Sequence, residues 1–528
     1  MMRRLRLLYP FLFVVLPILT VLTHNPGGST LADIAILIGV MLSACALAYA
    51  VVALVSGRGW ASPVVPLVVL AGILWFYAYP ALRSLYRLAR DTPAPLVVTA
   101  VTVIALALAT AAAVRWLARR PQYLDRVTTF FALTGLLMVA WSGFRIAADQ
   151  MAARKALRAS HLARELAAPV LVNSAASPAV QGPRRDIYLI ILDEYANSSV
   201  LQERFGFDNR QFEDSLRQLG FTIPRLIRSN YVHTLLSLPS LLNFSHLTQL
   251  GEELGDHNTD PTLPDYLMEN NRTAAFLRAH DYEFLFFPSQ WWISTQHNRN
   301  ADWEFRTWSG FNPVREATRS DLRRAFLSTT PLALLHKNDA YDVDHLKRTL
   351  AAIEQVPSRE KPTFALAHIL NPHYPYVVDA GCRPLRTRPT GGWGQGRQDA
   401  YINQVRCLNT LLLRTVTTLL QRSAPAPIIL LVGDHGTNSL RYSDAKSAEA
   451  VSPAQARERF GAFGAFFLPG NGARQLADSV TLVNVVPKVL NHYFEAGIQL
   501  APDKLYMSLE QTPYLFVEVD QASLSHPQ

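Results

Sequence analysis

The chain has 528 residues, 49% hydrophobic and 17% charged, with a formal net charge of +9. That charged fraction is below the roughly 25% of ordinary soluble domains, and the composition excludes a disordered chain, a collagen-like chain and a disulfide-rich miniprotein. Twelve arginines against four aspartates precede Gln150, an excess of eight, which leaves about one positive charge for the rest; this confinement excludes a nucleic-acid surface and marks membrane topology.

Five apolar runs come first: 7–23, 32–56, 62–82, 94–114 and 127–148. Each is near or above the roughly 20 residues that cross a bilayer. The start Met1-Met2-Arg3-Arg4-Leu5-Arg6 suits a signal peptide. No small-residue cleavage site lies near His24-Asn25-Pro26, however, and four more spans follow, so the first run is expected to stay. Arg3, Arg4 and Arg6 precede the first span, Arg58 lies in the second loop, and Arg115, Arg119, Arg120 and Arg126 lie in the fourth. The first loop has no basic residue, and the third has Arg83, Arg87 and Arg90. The balance places the N-terminus in the cytoplasm and, after five crossings, everything beyond Gln150 on the periplasmic face of a bacterial inner membrane. No span carries a carboxylate cluster, so a transporter finds little support. Residues 1–150 read as a transmembrane domain. Residues 151–183 read as an interfacial helix to Ala167 and then a Pro/Gly/Ala/Ser linker.

Residues 184–528 read as one α/β domain with a mostly parallel sheet flanked by helices. The runs 186–192, 282–287, 363–370, 427–432 and 464–468 are continuously apolar, as strands covered on both faces are. Helical patterns at 207–219, 341–356, 401–420 and 483–493 alternate with them. Cys45 sits in the second span. A disulfide between Cys382 and Cys407 fits an oxidising compartment, with two free thiols as the alternative.

In open α/β sheets ligands gather at the C-terminal ends of strands. After the first run comes Asp193-Glu194, after the fourth comes Gly433-Asp434-His435-Gly436, and after the third comes Asn371-Pro372-His373. Carboxylates mixed with imidazole suit Zn²⁺ or Mn²⁺ better than Ca²⁺. Singly, each is an ordinary turn or helix cap; their recurrence at one edge points to a divalent metal. In Thr234-Leu235-Leu236-Ser237-Leu238-Pro239, polar residues lead into a helix-like run. A hydroxyl there lies in the positive field of the helix N-terminus, where it is either a cap or a nucleophile.

At these residues the sequence resembles the alkaline phosphatase/sulfatase superfamily over most of 184–510. It is most similar to the membrane-anchored branch of lipid A phosphoethanolamine transferases and lipoteichoic acid synthases. The resemblance implies a metal held by Glu194, Asp434, His435 and Thr234, with Asp193 as a further ligand. It implies Thr234 as nucleophile and His373 as the catalytic group facing the substrate phosphate. Asn371, His368 and Trp292 are also expected on the substrate side. True sulfatases carry Cys/Ser-x-Pro-x-Arg; here Ser237-Leu238-Pro239-Ser240-Leu241 lacks the arginine, which favours Thr234 over Ser237. The residues after His435 offer no further histidine, unlike the phosphoethanolamine transferases. The expected activity is metal-dependent transfer of a phospho-substituent to or from an envelope lipid or glycan. The alternatives are a sulfate- or phosphate-ester hydrolase and a non-catalytic metal-binding scaffold. Trp291, Trp292 and Trp303 are candidates for an amphipathic platform beside the bilayer.

Overall fold

The computed structural model describes residues 2–24, 31–89, 92–168, 183–289, 293–306, 321–334, 343–385, 389, 393–476 and 478–524. It divides into two compact units: Met1–Ala152 with Phe311–Ala340, and Ala153–Gly310 with Tyr341–Gln528.

In the first unit, four helices among the described residues are long and apolar enough to cross a membrane. A fifth span is made if Val64–Tyr77 and Tyr79–Ala89, bent by 48°, count as one. The bend falls inside the expected run 62–82, where Pro80 has no N–H to continue the helical ladder and restricts the residue before it. Leu96, Leu108 and Leu137 are 66 to 70% exposed, as side chains that meet lipid tails are. The last span is a single helix, Pro121–Ala159, of 39 residues. At 1.5 Å per residue it is about 58 Å long, so the chain continues as helix through the boundary expected at 150. It ends at Ser160, whose hydroxyl accepts from the Ala163 amide at 2.9 Å and starts the short helix His161–Ala167. The Glu253 carboxylate accepts from the His161 and Leu162 amides of that helix. Residues 174–182 of the expected linker lie outside the described residues.

One segment departs from the contiguous domain expected over 184–528. Phe311–Ala340 groups with the first unit. Leu322 and Phe326 lie four apart on the helix Asp321–Ser328, hence on one face. Both are buried among Val14, Ile18, Leu37 and Met41, and the Phe326 ring meets Tyr77 edge-on at 6.0 Å. An apolar helical face with these neighbours is removed from water only in the first unit.

Among the described residues, the second unit contains ten strands: β1 Ile187–Leu192, β2 Leu226–Arg228, β3 Glu283–Phe287, β4 Trp303–Glu304, β5 Thr363–Ile369, β6 Ile428–Gly433, β7 Gly464–Phe467, β8 Ser479–Thr481, β9 Leu505–Leu509 and β10 Thr512–Val519. The main sheet runs β4-β3-β5-β1-β6-β7. All its neighbours are parallel except β6 and β7. Successive residues of β1 point to opposite faces. Tyr188, Ile190 and Leu192 pack with Tyr401, Val405 and Leu408 of the helix Gln395–Arg422. Ile187, Leu189 and Ile191 pack with Leu238, Leu241 and Leu242 of the helix Thr234–Asn243. With both faces covered, β1, β5 and β6 are buried throughout, which is why their sequences read as unbroken apolar runs. Cys382 and Cys407 form a disulfide that ties the loop after β5 to the helix Gln395–Arg422.

Candidate metal centre

The register fixes the site. Leu192, the last residue of β1, lies opposite Ile369 of β5 and Gly433 of β6. Three adjacent parallel strands therefore release Asp193-Glu194, Asn371-Pro372-His373 and Asp434-His435 at one sheet edge. The two glycines around Asp434-His435 are required by close approach. A Cβ on Gly433 would lie 2.3 Å from the Tyr195 carbonyl oxygen, and one on Gly436 would lie 2.0 Å from that of Glu458. Glu194 takes a left-handed φ of 60°, which costs a residue with a Cβ on the order of 1 kcal/mol. The conformation is held from two sides: its amide donates to Asp434 Oδ1 at 3.0 Å, and the Tyr401 hydroxyl donates to its carbonyl at 2.9 Å.

Thr234 is the first residue of the helix Thr234–Asn243, preceded by His233 in extended conformation. The first amides of a helix have no intrahelical acceptor and favour an anion in front of them. The Thr234 hydroxyl donates to Asp434 Oδ2 at 2.7 Å and lies 3.2 Å from His435 Nε2. Ser237, one turn on, is buried and donates to the Asp434 main-chain carbonyl at 2.6 Å. The hydroxyl at the site is that of Thr234, while Ser237 supports the loop from behind.

His435 Nδ1 bonds the Gly436 carbonyl at 3.1 Å, which puts the ring proton on Nδ1 and leaves a lone pair on Nε2. Burial first, then the charge of Arg459, drives its pKa well below the ordinary imidazole value. Asp434 and Asp193 are raised, chiefly by burial; for Asp193 the neighbouring carboxylates of Asp434 and Glu194 add to it. The four residues named for the metal besides Asp193 therefore meet: Glu194, Thr234, Asp434 and His435 share one network. Arg459, on the helix Pro453–Phe460, completes it. Its guanidinium donates to the Val232 and Gly436 carbonyls at 2.8 and 2.6 Å. It lies 3.5 Å from Glu194 Oε1 and 3.2 Å from His435 Nε2. Burial disfavours its charge, but Tyr442 and the three carboxylates outweigh that and raise its pKa.

Among the described residues, the metal-ligating set that converges is Asp193, His368 and Asp434, each offering one atom within 4.8 Å of the others. His368 and Asp193 are buried, and the nearest approach between them is 3.6 Å, from Nε2 to Oδ2. Asp193 Oδ1 and both His368 nitrogens have no hydrogen-bond partner. Buried polar groups are nearly always paired, so this set fits a cation. So does the charge: the carboxylates of Asp193, Glu194 and Asp434 against one guanidinium leave an excess of two negative charges, which one divalent ion cancels. Mixed carboxylate and imidazole donors suit Zn²⁺ or Mn²⁺.

The remaining expected residues are placed as follows. His373 lies on the rim, 26% exposed, its Nε2 4.0 Å from Glu194 Oε2. Gln404 holds its loop by donating to the Pro372 and His373 carbonyls, both at 3.0 Å. Asn371 lines, with His368, His345 and Thr349, a cavity of about 20 Å³ beside the site. Trp291 and Trp292 lie outside the described residues. Trp303, 36% exposed on the edge strand β4, packs on the Phe287 and Phe305 rings under the Arg359 guanidinium. Arg459 was not legible in the sequence. Nothing local separates it from Arg457, which reaches Glu203. The signal for His368 was a histidine inside an otherwise apolar strand.

Residues 186–461 match the sulfatase domain family. This chain belongs to the sulfatase family. No curated protein sequence matches it. Among solved structures, the sulfatase chain is similar to the C-terminal periplasmic domain of EcEptC from Escherichia coli in complex with Zn. The identity is 11%, covering 66% of this chain and 96% of that one, with a TM-score of 0.42. It is also similar to the lipoteichoic acid synthase LtaP from Listeria monocytogenes, with 11% identity, 69% and 81% coverage and a TM-score of 0.34. Ps i-CgsB in complex with k-i-k-neocarrahexaose gives 14% identity, 60% and 73% coverage and a TM-score of 0.39. Membership rests on the domain match alone. Leu241, at the position where the resemblance leads one to look for an arginine, is buried in the apolar core.

Proposed function

We propose that this sulfatase-family protein is a membrane-anchored phosphotransferase with Thr234 as nucleophile. It would move a phospho-substituent between an alcohol of an envelope lipid or glycan and an acceptor hydroxyl. The observation that carries the reading is the orientation of the two candidate hydroxyls. Thr234 faces Asp434 Oδ2 and His435 Nε2, whereas Ser237 is committed to a main-chain carbonyl.

A divalent cation held by Asp434 and its acidic neighbours would, when bound, neutralise charge on the attacked group and favour the Thr234 alkoxide. The protein supplies the rest. Asp434 holds the Thr234 hydroxyl in line, and the open amides of the helix start face the anionic oxygens. The Thr234 proton passes along its existing bond to Asp434 Oδ2 and returns to Thr234 when the intermediate is resolved, and the Thr234 Oγ–P bond forms as the bond from phosphorus to the departing alcohol breaks. That alcohol's oxygen takes its proton from His373, on the solvent side. An acceptor hydroxyl then attacks the phosphothreonine, returning its proton to His373. Arg459 lies behind the reacting atoms and fixes Glu194 and His435.

Five crossings, with the bent helix pair as one span, would place the sulfatase domain opposite an N-terminus held inside by its arginines. The Cys382–Cys407 disulfide supports an oxidising, periplasmic side. Mass spectrometry of the Thr234 peptide after brief reaction with a phospholipid donor tests the proposal. A phospho-substituent on Thr234, with turnover that rises with added acceptor, is expected; full turnover by Thr234→Ala would end it. Lipid and glycan profiling of cells with and without the protein identifies the acceptor.

A further inference from the structure

The side chains around Asp434 divide into two groups with different electrostatics. Glu194 Oε1 and His435 Nε2 both lie against the Arg459 guanidinium, at 3.5 and 3.2 Å. The His435 lone pair also lies within 3.2 Å of the Thr234 hydroxyl. A fixed positive charge already stands on that side. Across Asp434, the situation is the reverse. Asp193 Oδ1, His368 Nδ1 and His368 Nε2 are buried without hydrogen-bond partners. No arginine or lysine is paired with Asp193 among the described residues.

We propose that His368, through a ring nitrogen, is a ligand of the divalent cation, together with Asp193 and Asp434. The reading rests on the metal-dependent function above and deepens it by naming the nitrogen donor. Three points support it. The ligand atoms of Asp193, His368 and Asp434 already converge within 4.8 Å, which suits a cation with bonds of about 2 Å. The His368 ring is held by its strand, opposite Ile191 of β1, so its position does not depend on a loop. A metal-bound imidazole also needs a polar neighbour for its second nitrogen, and the cavity lined by Ser289, His345, Thr349 and Asn371 adjoins the ring. Mutual repulsion places the cation on the Asp193 side and the guanidinium on the Glu194 side, with Asp434 between the two.

The test is pulsed electron paramagnetic resonance of the full chain in detergent, loaded with one equivalent of Mn²⁺, on wild type, His368→Gln and His435→Asn. Nitrogen coupling from imidazole is expected in wild type, reduced or lost in His368→Gln and still present in His435→Asn. Unchanged coupling in Mn²⁺-loaded His368→Gln overturns the proposal. If that variant fails to fold, His435→Asn decides alone: Mn²⁺ bound without nitrogen coupling overturns it, and persistent coupling supports it. Formation of phosphothreonine at residue 234 in wild type is scored separately. Its presence alongside a failed coupling test would remove the ligand assignment and leave the function; its absence alongside a positive one would do the opposite.

Discussion

The Thr234 hydroxyl donates to Asp434 Oδ2 at 2.7 Å across 200 residues of chain. One residue begins a helix and the other follows a strand, so their meeting positions the proposed nucleophile between two rigid elements. Removing the hydroxyl tests it most directly. Thr234→Ala is expected to lower turnover by at least about three orders of magnitude, while Thr234→Ser keeps the oxygen and stays within about tenfold. Steady-state kinetics on a chromogenic phosphodiester measures both.

Ser237→Ala separates support from chemistry. The lost bond to the Asp434 carbonyl is expected to cost about 1–2 kcal/mol of stability, with turnover held within severalfold. Loss of turnover comparable to that of Thr234→Ala would contradict the assigned roles.

Arg459→Met leaves the carboxylates of Asp193, Glu194 and Asp434 buried without their only close guanidinium among the described residues, and removes the donor to the Val232 and Gly436 carbonyls. A destabilisation of about 3–5 kcal/mol is expected. Thermal unfolding with and without added Zn²⁺ measures it, and the metal should recover more of the midpoint in the variant than in wild type.

Gly436→Ala would drive a Cβ to 2.0 Å from the Glu458 carbonyl. Glu458 is itself fixed by Thr437 and by the amides of Ser439 and Leu440, so the loop cannot yield cheaply. Loss of tight Mn²⁺ binding in calorimetry is expected even where the protein still folds; Gly396→Ala, in open space, is the control.

A half-buried neutral histidine predicts acid sensitivity. Burial, opposed by the bond to the Pro288 carbonyl, pushes His345 down to about 4. The unfolded chain, with imidazoles near 6.5, therefore binds a proton that the folded chain refuses. The His345 contribution to stability is full above about pH 6.5 and is lost as the pH falls toward 4, by up to about 3 kcal/mol. Unfolding midpoints between pH 7.5 and 5 should fall less steeply in His345→Gln than in wild type; parallel curves would refute the assignment.

The sequence by itself determined the apolar helices, the parallel strands and the edge at which Asp193, Glu194, Asp434 and His435 emerge. Those features follow from local patterning, because a strand buried on both faces must be apolar along its length and its end must turn polar. Tertiary structure decided what local pattern does not encode. It set the Thr234 hydroxyl against Asp434 and His435 and the Ser237 hydroxyl, one helix turn on, against a main-chain carbonyl, and set Arg459 rather than Arg457 against the acidic cluster. It also turned Leu322 and Phe326 of the 311–340 segment into the helical first unit. In each case the deciding quantity is the burial or charge of groups far away in the chain, which exists only once the elements have packed.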